Sequence, residues 1–473
     1  MKTLSLLDIQ IIMGGMGVAI SWYKIAKIVS MLGGLGTVSG TAAERIMASV
    51  LSRGDPGGHF RRALKHFPFQ DSAERIIREF YIEQGDTKTP RRSVPVYSLN
   101  PSKMLIELII CANFAFVWLA KEGHYRPISI NYLEKIAMPH IYAIIGAILA
   151  GVDVITMGAG LPINIPPLID QLIQGRIAEY PIPIVGEKTP YRMQFDPGKF
   201  FGANLHISYR PSFLPIISSN SLAKICTERL PSGSVQGFVV EEDTAGGHNA
   251  PPRGRPVILD DLGQPVYGSR DKVDYHELAD LGFPFWIAGS YASPEKLAWA
   301  KENGAQGVQL GSIFALSNQS GMDPVSRQKI RRNGYRGEQK IFTDPVASPT
   351  GYPFKVALVE GTLSEKEVYE SRKRRCSQGA LVVPYRRPNG SIGYRCSAED
   401  VGNYVKKGGR REDTFGVKCI CNGLMATADV NPDPAEPKIV TIGDDLSFLP
   451  RLMRDENSGY DVEDVFRYMY SMR

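Results

Sequence analysis

The sequence predicts an α/β chain folded as a (β/α)8 TIM barrel with one insertion and a C-terminal extension. Three observations carry that reading. Short apolar runs alternate with amphipathic helical patterns from Asp8 to about Ser320, which is the signature of parallel βα units. The apolar runs number close to eight, the count that closes a barrel. Their C-terminal ends carry Gly, Asn, Ser or His, on the face where a barrel builds its site.

In chain order, strands are expected at residues 9–12, 105–112, 153–157, 214–217, 237–240, 284–288 and 307–310. The helix after the first strand is expected to be capped by Ser21 and to align Trp22, Ile25 and Val29 on one face. Another is expected from about Asp71, with Ala73, Ile76, Ile77 and Phe80 in register. The apolar run 141–152 ends at Asp153; it is shorter than the roughly twenty residues that span a bilayer and reads as a buried helix. A doubly wound sheet is the competing fold. It wants G-x-G-x-x-G at the first helix, and Gly14-Gly15-Met16-Gly17 and Gly33-Gly34-Leu35-Gly36 both miss that spacing. Beyond about Asn333 the βα alternation stops, so the expected division is a barrel over 1–332 and a Cys-containing extension over 333–473. Residues 161–210 are long for a plain βα connection and read as a lid or a substrate-determining insertion.

With 473 residues, 43% hydrophobic and 22% charged, the chain can bury a large core, which excludes the disordered and fibrous classes. Lys and Arg number 55 against 49 Asp and Glu. The basic runs at 372–375 and 406–411 come with no helix-turn-helix, RRM or C2H2 pattern, so a solvated surface is expected rather than a nucleic-acid partner. Asp8 and Gln10 interrupt any apolar leader, and the expected location is the cytoplasm, without membrane attachment.

Metal sites are not expected. Cys111 and Cys226 are isolated, and Cys376, Cys396, Cys419 and Cys421 contain one Cys-x-Cys pair rather than two Cys-x-x-Cys knuckles, so reduced thiols are expected ahead of structural zinc. His59, His66, His124, His140, His206 and His276 lack a second ligand at metal spacing. Asp260-Asp261 reads as a solvated turn.

The chemistry is expected on three segments. Thr244-Ala245-Gly246-Gly247-His248-Asn249 follows the apolar run ending in Val240, so His248 hangs on a glycine-hinged loop past a strand end. An imidazole there can exchange a proton near neutral pH, or it can simply bond a loop carbonyl. Of the acidic residues just before it, Glu241, Glu242 and Asp243, one is a candidate to orient His248. Phe285-Trp286-Ile287-Ala288-Gly289-Ser290 and Val308-Gln309-Leu310-Gly311-Ser312 are two consecutive strands ending in Gly-Ser. The loops after a barrel's last two strands commonly hold a phosphate.

These blocks, together with Ile12-Met13-Gly14-Gly15-Met16-Gly17, Gly33 to Gly40, Asn113 and Gly158-Ala159-Gly160-Leu161-Pro162, resemble the nitronate monooxygenases, formerly 2-nitropropane dioxygenases, over roughly residues 8 to 320. The chain would be a long form with a C-terminal extension, and Met13 stands where many members carry glutamine. The resemblance implies an FMN-dependent oxidoreductase in which His248 is the catalytic group and Gly289, Ser290, Gly311 and Ser312 hold the flavin phosphate. Gly14, Gly15, Met16, Asn113, Gly246, Gly247 and Gln309 would line the flavin. The implied reaction takes an alkyl nitronate, and a nitroalkane where the α-proton is removed first, with O2 to a carbonyl compound and nitrite. The related FMN-dependent enoyl reductases of fatty-acid and polyketide synthesis are the alternative, and a non-catalytic flavin- or carrier-binding barrel is the reading from another class. The expected partners are a small-molecule substrate and O2; the reading leaves room for a homo-oligomer.

Overall fold

Eight parallel strands close on themselves in the computed structural model, which describes residues 5–86, 88–254 and 256–471. In chain order they are β1 (Ile11–Met13), β2 (Gly36–Ser39), β3 (Ile128–Leu133), β4 (Val154–Gly158), β5 (Ser212–Ile217), β6 (Phe238–Glu241), β7 (Phe285–Ala288) and β8 (Gly307–Leu310). Strands β2 to β8 each pair with the next, and β8 pairs with β1. The last seam closes where the Met13 N–H donates to the Leu35 carbonyl at 3.0 Å and the Leu35 N–H donates to the Ile11 carbonyl at 2.9 Å. The fold is the (β/α)8 barrel that the alternation predicts.

Side chains alternate across each strand. Phe238, Val240, Phe285, Ile287, Val308 and Leu310 point outward into the core shared with the helices, whereas Ile12, Leu35, Val154, Leu214, Val239 and Trp286 fill the barrel. Trp286 is fully buried there, and its indole N–H donates to the Ile9 carbonyl at 2.9 Å, which satisfies the polar end of an otherwise apolar plug.

One expected strand is a helix. Residues 105–112 lie within Lys103–Lys121, capped by Ser102, whose hydroxyl accepts from the Leu105 N–H at 3.3 Å. The run is apolar on all sides, so periodicity does not separate a buried strand from a buried helix; its length decides. By length and composition this helix is long and apolar enough to cross a membrane, yet 78% of that stretch is buried inside the protein. It packs on the helices Tyr23–Met31, Ala43–Leu51, His59–Leu64 and His140–Leu149. The strand places are taken by β2 and β3, whose polar inward residues hid them from an apolar search. Ser21 also departs from expectation: the first helix starts after Trp22, and the Ser21 hydroxyl accepts from the Met16 N–H at 2.8 Å.

The insertion after β4 forms a helix, Ile165–Ile173, a hairpin of Ala178–Ile182 with Tyr191–Phe195, and a short helix, Pro197–Phe201. It packs on the flank of the barrel, with Phe195 edge-on to Tyr142 and Phe201 stacked on Phe69. Past β8, the helix Pro324–Tyr335 runs through positions 332 and 333, and two hairpins follow, Ile341–Asp344 with Phe354–Ala357 and Val383–Arg386 with Ile392–Arg395. The chain then returns. Its last helix, Val462–Met469, docks beside Tyr23–Met31 and Pro294–Glu302, with the Phe466 ring against Gly34, where a Cβ would lie 2.8 Å from it. Residues 311–461 therefore stand between β8 and the helix that covers the β8–β1 seam.

The crossing of Lys103–Lys121 with His140–Leu149 is close because residue 146 is glycine; a Cβ there would come within 2.3 Å of the Ile110 carbonyl oxygen. Alanine ordinarily favours a helix over glycine by about 1 kcal/mol, whereas overpacking costs about 1–3 kcal/mol. Gly146→Ala should therefore lower the unfolding midpoint in urea despite its better helix propensity, and a raised midpoint would contradict this crossing.

Candidate active site

Inward positions toward the C-terminal ends of the strands form the floor at the barrel mouth: Gly14 just past β1, then Ser39, Asn131, Gly158, Ile216, Glu241, Ala288 and Gln309. All eight line a single cavity of about 240 Å³. Gly14, Gly158 and Ala288 leave the space open, and a Cβ on Gly15 would lie 2.1 Å from that of Asn131, so the first loop can approach β3 only as glycine.

The polar members of this floor have no work within the protein. Among the described residues the side chains of Ser39, Asn131, Glu241 and Gln309 make no hydrogen bond to another residue, and the Thr244 hydroxyl is buried without a partner. Unsatisfied polar groups in a protein interior are uncommon. A ring of them facing one cavity is what a site for a polar ligand looks like.

The loop after β6 forms one wall. Gly247 has φ +87°, and a Cβ on Gly246 would lie 2.7 Å from the backbone of Ile442. The Gly247 N–H donates to the Thr441 hydroxyl at 2.8 Å, and the Asp444 N–H donates to the Thr244 carbonyl at 3.1 Å, so the extension fixes this loop. His248 lies half-buried, edge-on to Phe354, with Nε2 2.7 Å from the Ser348 hydroxyl; Nδ1 has no partner among the described residues. Burial lowers its titration to about 4, and at neutral pH the imidazole is uncharged. Glu241 moves the opposite way: burial raises its carboxyl to about 8, and its exposed part faces the narrow cavity rather than bulk water. Two titrating groups pushed apart in this way leave an acid and a base form coexisting at neutral pH.

The turns after β7 and β8 form the other wall. Gly289 has φ +111° with the Thr244 hydroxyl where a Cβ would be, and Ser290 has φ +60°. The backbone N–H groups of Gly289, Ser290, Gly311 and Ser312 have no acceptor among the described residues. The Ser312 hydroxyl accepts from the Gly443 N–H at 2.7 Å, and Lys296, which donates to the Ser290 carbonyl, pairs with Asp445 at 2.7 Å. Above the floor, the extension supplies an apolar roof from Phe354, Leu381, Ile420, Leu424 and Phe448.

Gly14, Gly15, Met16, Gly246, Gly247, His248, Gly289, Ser290, Gln309, Gly311 and Ser312 are thus brought to one cavity. Asn113 is not. It sits fully buried on the helix Lys103–Lys121, where its amide donates to the Ile109 carbonyl at 2.9 Å and accepts from the Tyr132 hydroxyl at 3.0 Å; Asn131 on β3 is the amide that reaches the site. Nor does an acidic neighbour orient His248. Glu242 accepts from the Tyr275 and Tyr291 hydroxyls and Asp243 pairs with Lys272, while Ser348, outside the barrel, holds the imidazole. The expected lid is likewise elsewhere: among the described residues none of 161–210 lines the cavity, and the roof comes from the extension.

Sequence reading missed Ser39, Asn131 and the floor position of Glu241. The signal was the strict alternation in Gly36-Thr37-Val38-Ser39 and Ile128-Ser129-Ile130-Asn131, which puts every polar residue on the inward face. All six cysteines are free thiols; Cys421 lines the cavity, and a hydrogen bond with the Cys396 thiol lowers the titration of Cys376. Among the described residues no group of three or more His, Cys, Asp or Glu is arranged to hold a metal ion.

No family model matches the chain, and no curated protein does. Among solved structures it is similar to FabK from Thermotoga maritima, at 14% identity over 98% of this chain and 92% of that one, with a TM-score of 0.48. The enoyl reductase domain of MlnA from the macrolactin biosynthesis cluster of Bacillus amyloliquefaciens gives 11% identity, 98% and 94% coverage and a TM-score of 0.47. The nitroalkane oxidase from Streptomyces ansochromogenes gives 11%, 98% and 96%, and a TM-score of 0.44.

Proposed function

We propose that the barrel mouth binds FMN and that the protein oxidises alkyl nitronates with O2 to a carbonyl compound and nitrite. The observation that carries the reading is the floor of idle polar groups, Ser39, Asn131, Glu241 and Gln309, beside two turns of free backbone N–H groups. A flat heterocycle with donors and acceptors on its rim and a phosphate on a tether requires such a pair of surfaces.

The residues present fit that group. The N–H groups of Gly289, Ser290, Gly311 and Ser312 would take the phosphate, with Lys296 the cation beside the Ser290 turn. Backbone at Gly14, Gly15, Met16, Gly246 and Gly247 lines the cavity without bulk. When bound, the flavin supplies the redox chemistry.

The chain's own groups bind, orient and exclude water. The apolar roof accepts an alkyl chain and keeps solvent from the site. His248 is held at Nε2 by Ser348, which leaves Nδ1 as the ring nitrogen free to meet a substrate. With its titration lowered to about 4, the imidazole is a weak base, and proton abstraction weakens as basicity falls. A preformed nitronate, already deprotonated, escapes that demand. A neutral nitroalkane does not, and it depends on His248 to accept its α-proton.

Two expectations follow. Purified protein should show flavin absorption bands that bleach on anaerobic mixing with propyl nitronate and hardly respond to reduced nicotinamide. Rapid bleaching by nicotinamide would transfer the assignment to an enoyl reductase, and absence of any flavin in protein reconstituted with FMN would overturn both. His248→Ala should keep FMN and lower turnover of neutral nitroalkane at least tenfold more than that of preformed nitronate, on the order of a lost general base; equal losses would remove the residue's role as a base.

A further inference from the structure

We propose that Glu241 holds the flavin ring as a neutral acid, donating the proton of its own carboxyl to an acceptor on the rim of the ring. The inference rests on the FMN reading of this cavity.

The backbone leaves Glu241 no other direction. Phe238 and Val240 on β6 face the outer core and Val239 faces the barrel interior, so the next residue is delivered inward. It stands on the apolar plug of Val239, Ile216, Ala288 and Trp286, in register with Ala288 on β7. On β7 the residue in register with Glu241 is Ala288, and the last inward residue of β5 is Ile216, in register with Val239 one inward step below, so the flanking inward side chains are apolar. No ion pair or hydrogen bond engages the carboxyl among the described residues.

A carboxylate in that position would be a charge over hydrocarbon with no counter-ion, and such a group keeps its proton instead. Burial is the cause of its raised titration, to about 8. The proton changes what the residue can do. A carboxylate only accepts hydrogen bonds, whereas a carboxyl donates one. With Ser39, Asn131 and Gln309, each able to donate, Glu241 completes a floor whose four polar groups all present donors.

The titratable and charged groups on the same cavity are Arg45, Tyr132, His248, Tyr291, Cys421 and Asp445, which pairs with Lys296, and Tyr267 interacts with Glu241. They are common to the wild type and a Glu241→Gln variant, so the ratio of the two FMN dissociation constants isolates Glu241. The sign follows from linkage: a ligand that needs the proton binds fully below about 8 and loses affinity as pH rises through that value.

The test is FMN binding by fluorescence quenching from about pH 7 to about pH 9.5, with wild type and E241Q, whose amide keeps a donor at every pH. The two should bind alike at the low end, and the wild type should weaken relative to E241Q by about thirtyfold at the high end. A ratio that stays flat while both bind FMN overturns the role of Glu241 alone, whereas wild type that binds no FMN at neutral pH overturns the flavin reading and this inference together. Calorimetry on the wild type needs no variant: near pH 9, FMN binding in buffers of different ionisation enthalpy should take up close to one proton, and uptake near zero overturns the proposal.

Discussion

Closure of the barrel between β1 and β2 rests on two backbone hydrogen bonds across Leu35, and the architecture of the site depends on it. A closed parallel barrel has no edge, so every strand has two neighbours and each side chain must point either to the helices or to the interior. Inward positions near the C-terminal ends of the eight strands then converge whether or not their chemistry suits burial. Below them, Val239, Leu214, Trp286 and their neighbours exclude water. Above them lies the cavity, and polar residues there are desolvated from beneath while still open to a ligand. The opposed titrations of Glu241 and His248 both come from burial, so one geometric constraint sets both the shape and the electrostatics of the mouth.

The extension completes the site rather than adding to it. Thr441, Gly443 and Asp444 bond to Gly247, Ser312 and Thr244, stitching together the β6 and β8 loops that the barrel alone leaves apart. Ser348 sets the imidazole of His248, and Phe354 packs against it edge to face. Lys355, buried beneath, donates to Thr343 and pairs with Asp444, which ties the hairpin that carries Phe354 to the segment over the floor. The final helix returns to cover the β8–β1 seam, so the ends of the extension are anchored on the barrel at both sides.

Much of the barrel was legible in the sequence because outward apolar runs followed by glycine mark strand ends, as at 284–288 and 307–310. The Gly-Ser turns and the His248 loop were legible for the same reason: glycine at a strand end signals backbone brought close to something. What was hidden followed from burial on all sides. Residues 105–112 are apolar in every direction, and only the span from Ser102 to Lys121 shows a helix. Strands β2 and β3 were hidden by their polar inward residues. Asn113 and Asn131 were exchanged through this pair of errors, since an amide expected past a strand end was assigned to the helix that replaced it. The partnership of His248 with Ser348 spans a hundred positions, and no local pattern announces a contact of that range.

If the mouth holds a phosphate-bearing flavin as proposed, it must distinguish FMN from riboflavin. The two ligands share the ring that the floor would meet and differ only in the group that the Gly289 and Gly311 turns would hold. Quenching titrations at neutral pH should show saturable FMN binding at least about tenfold tighter than riboflavin, the scale of a single charge-assisted contact set. Equal affinity would contradict the assignment of those turns, and no saturable binding of either ligand would contradict the flavin site itself.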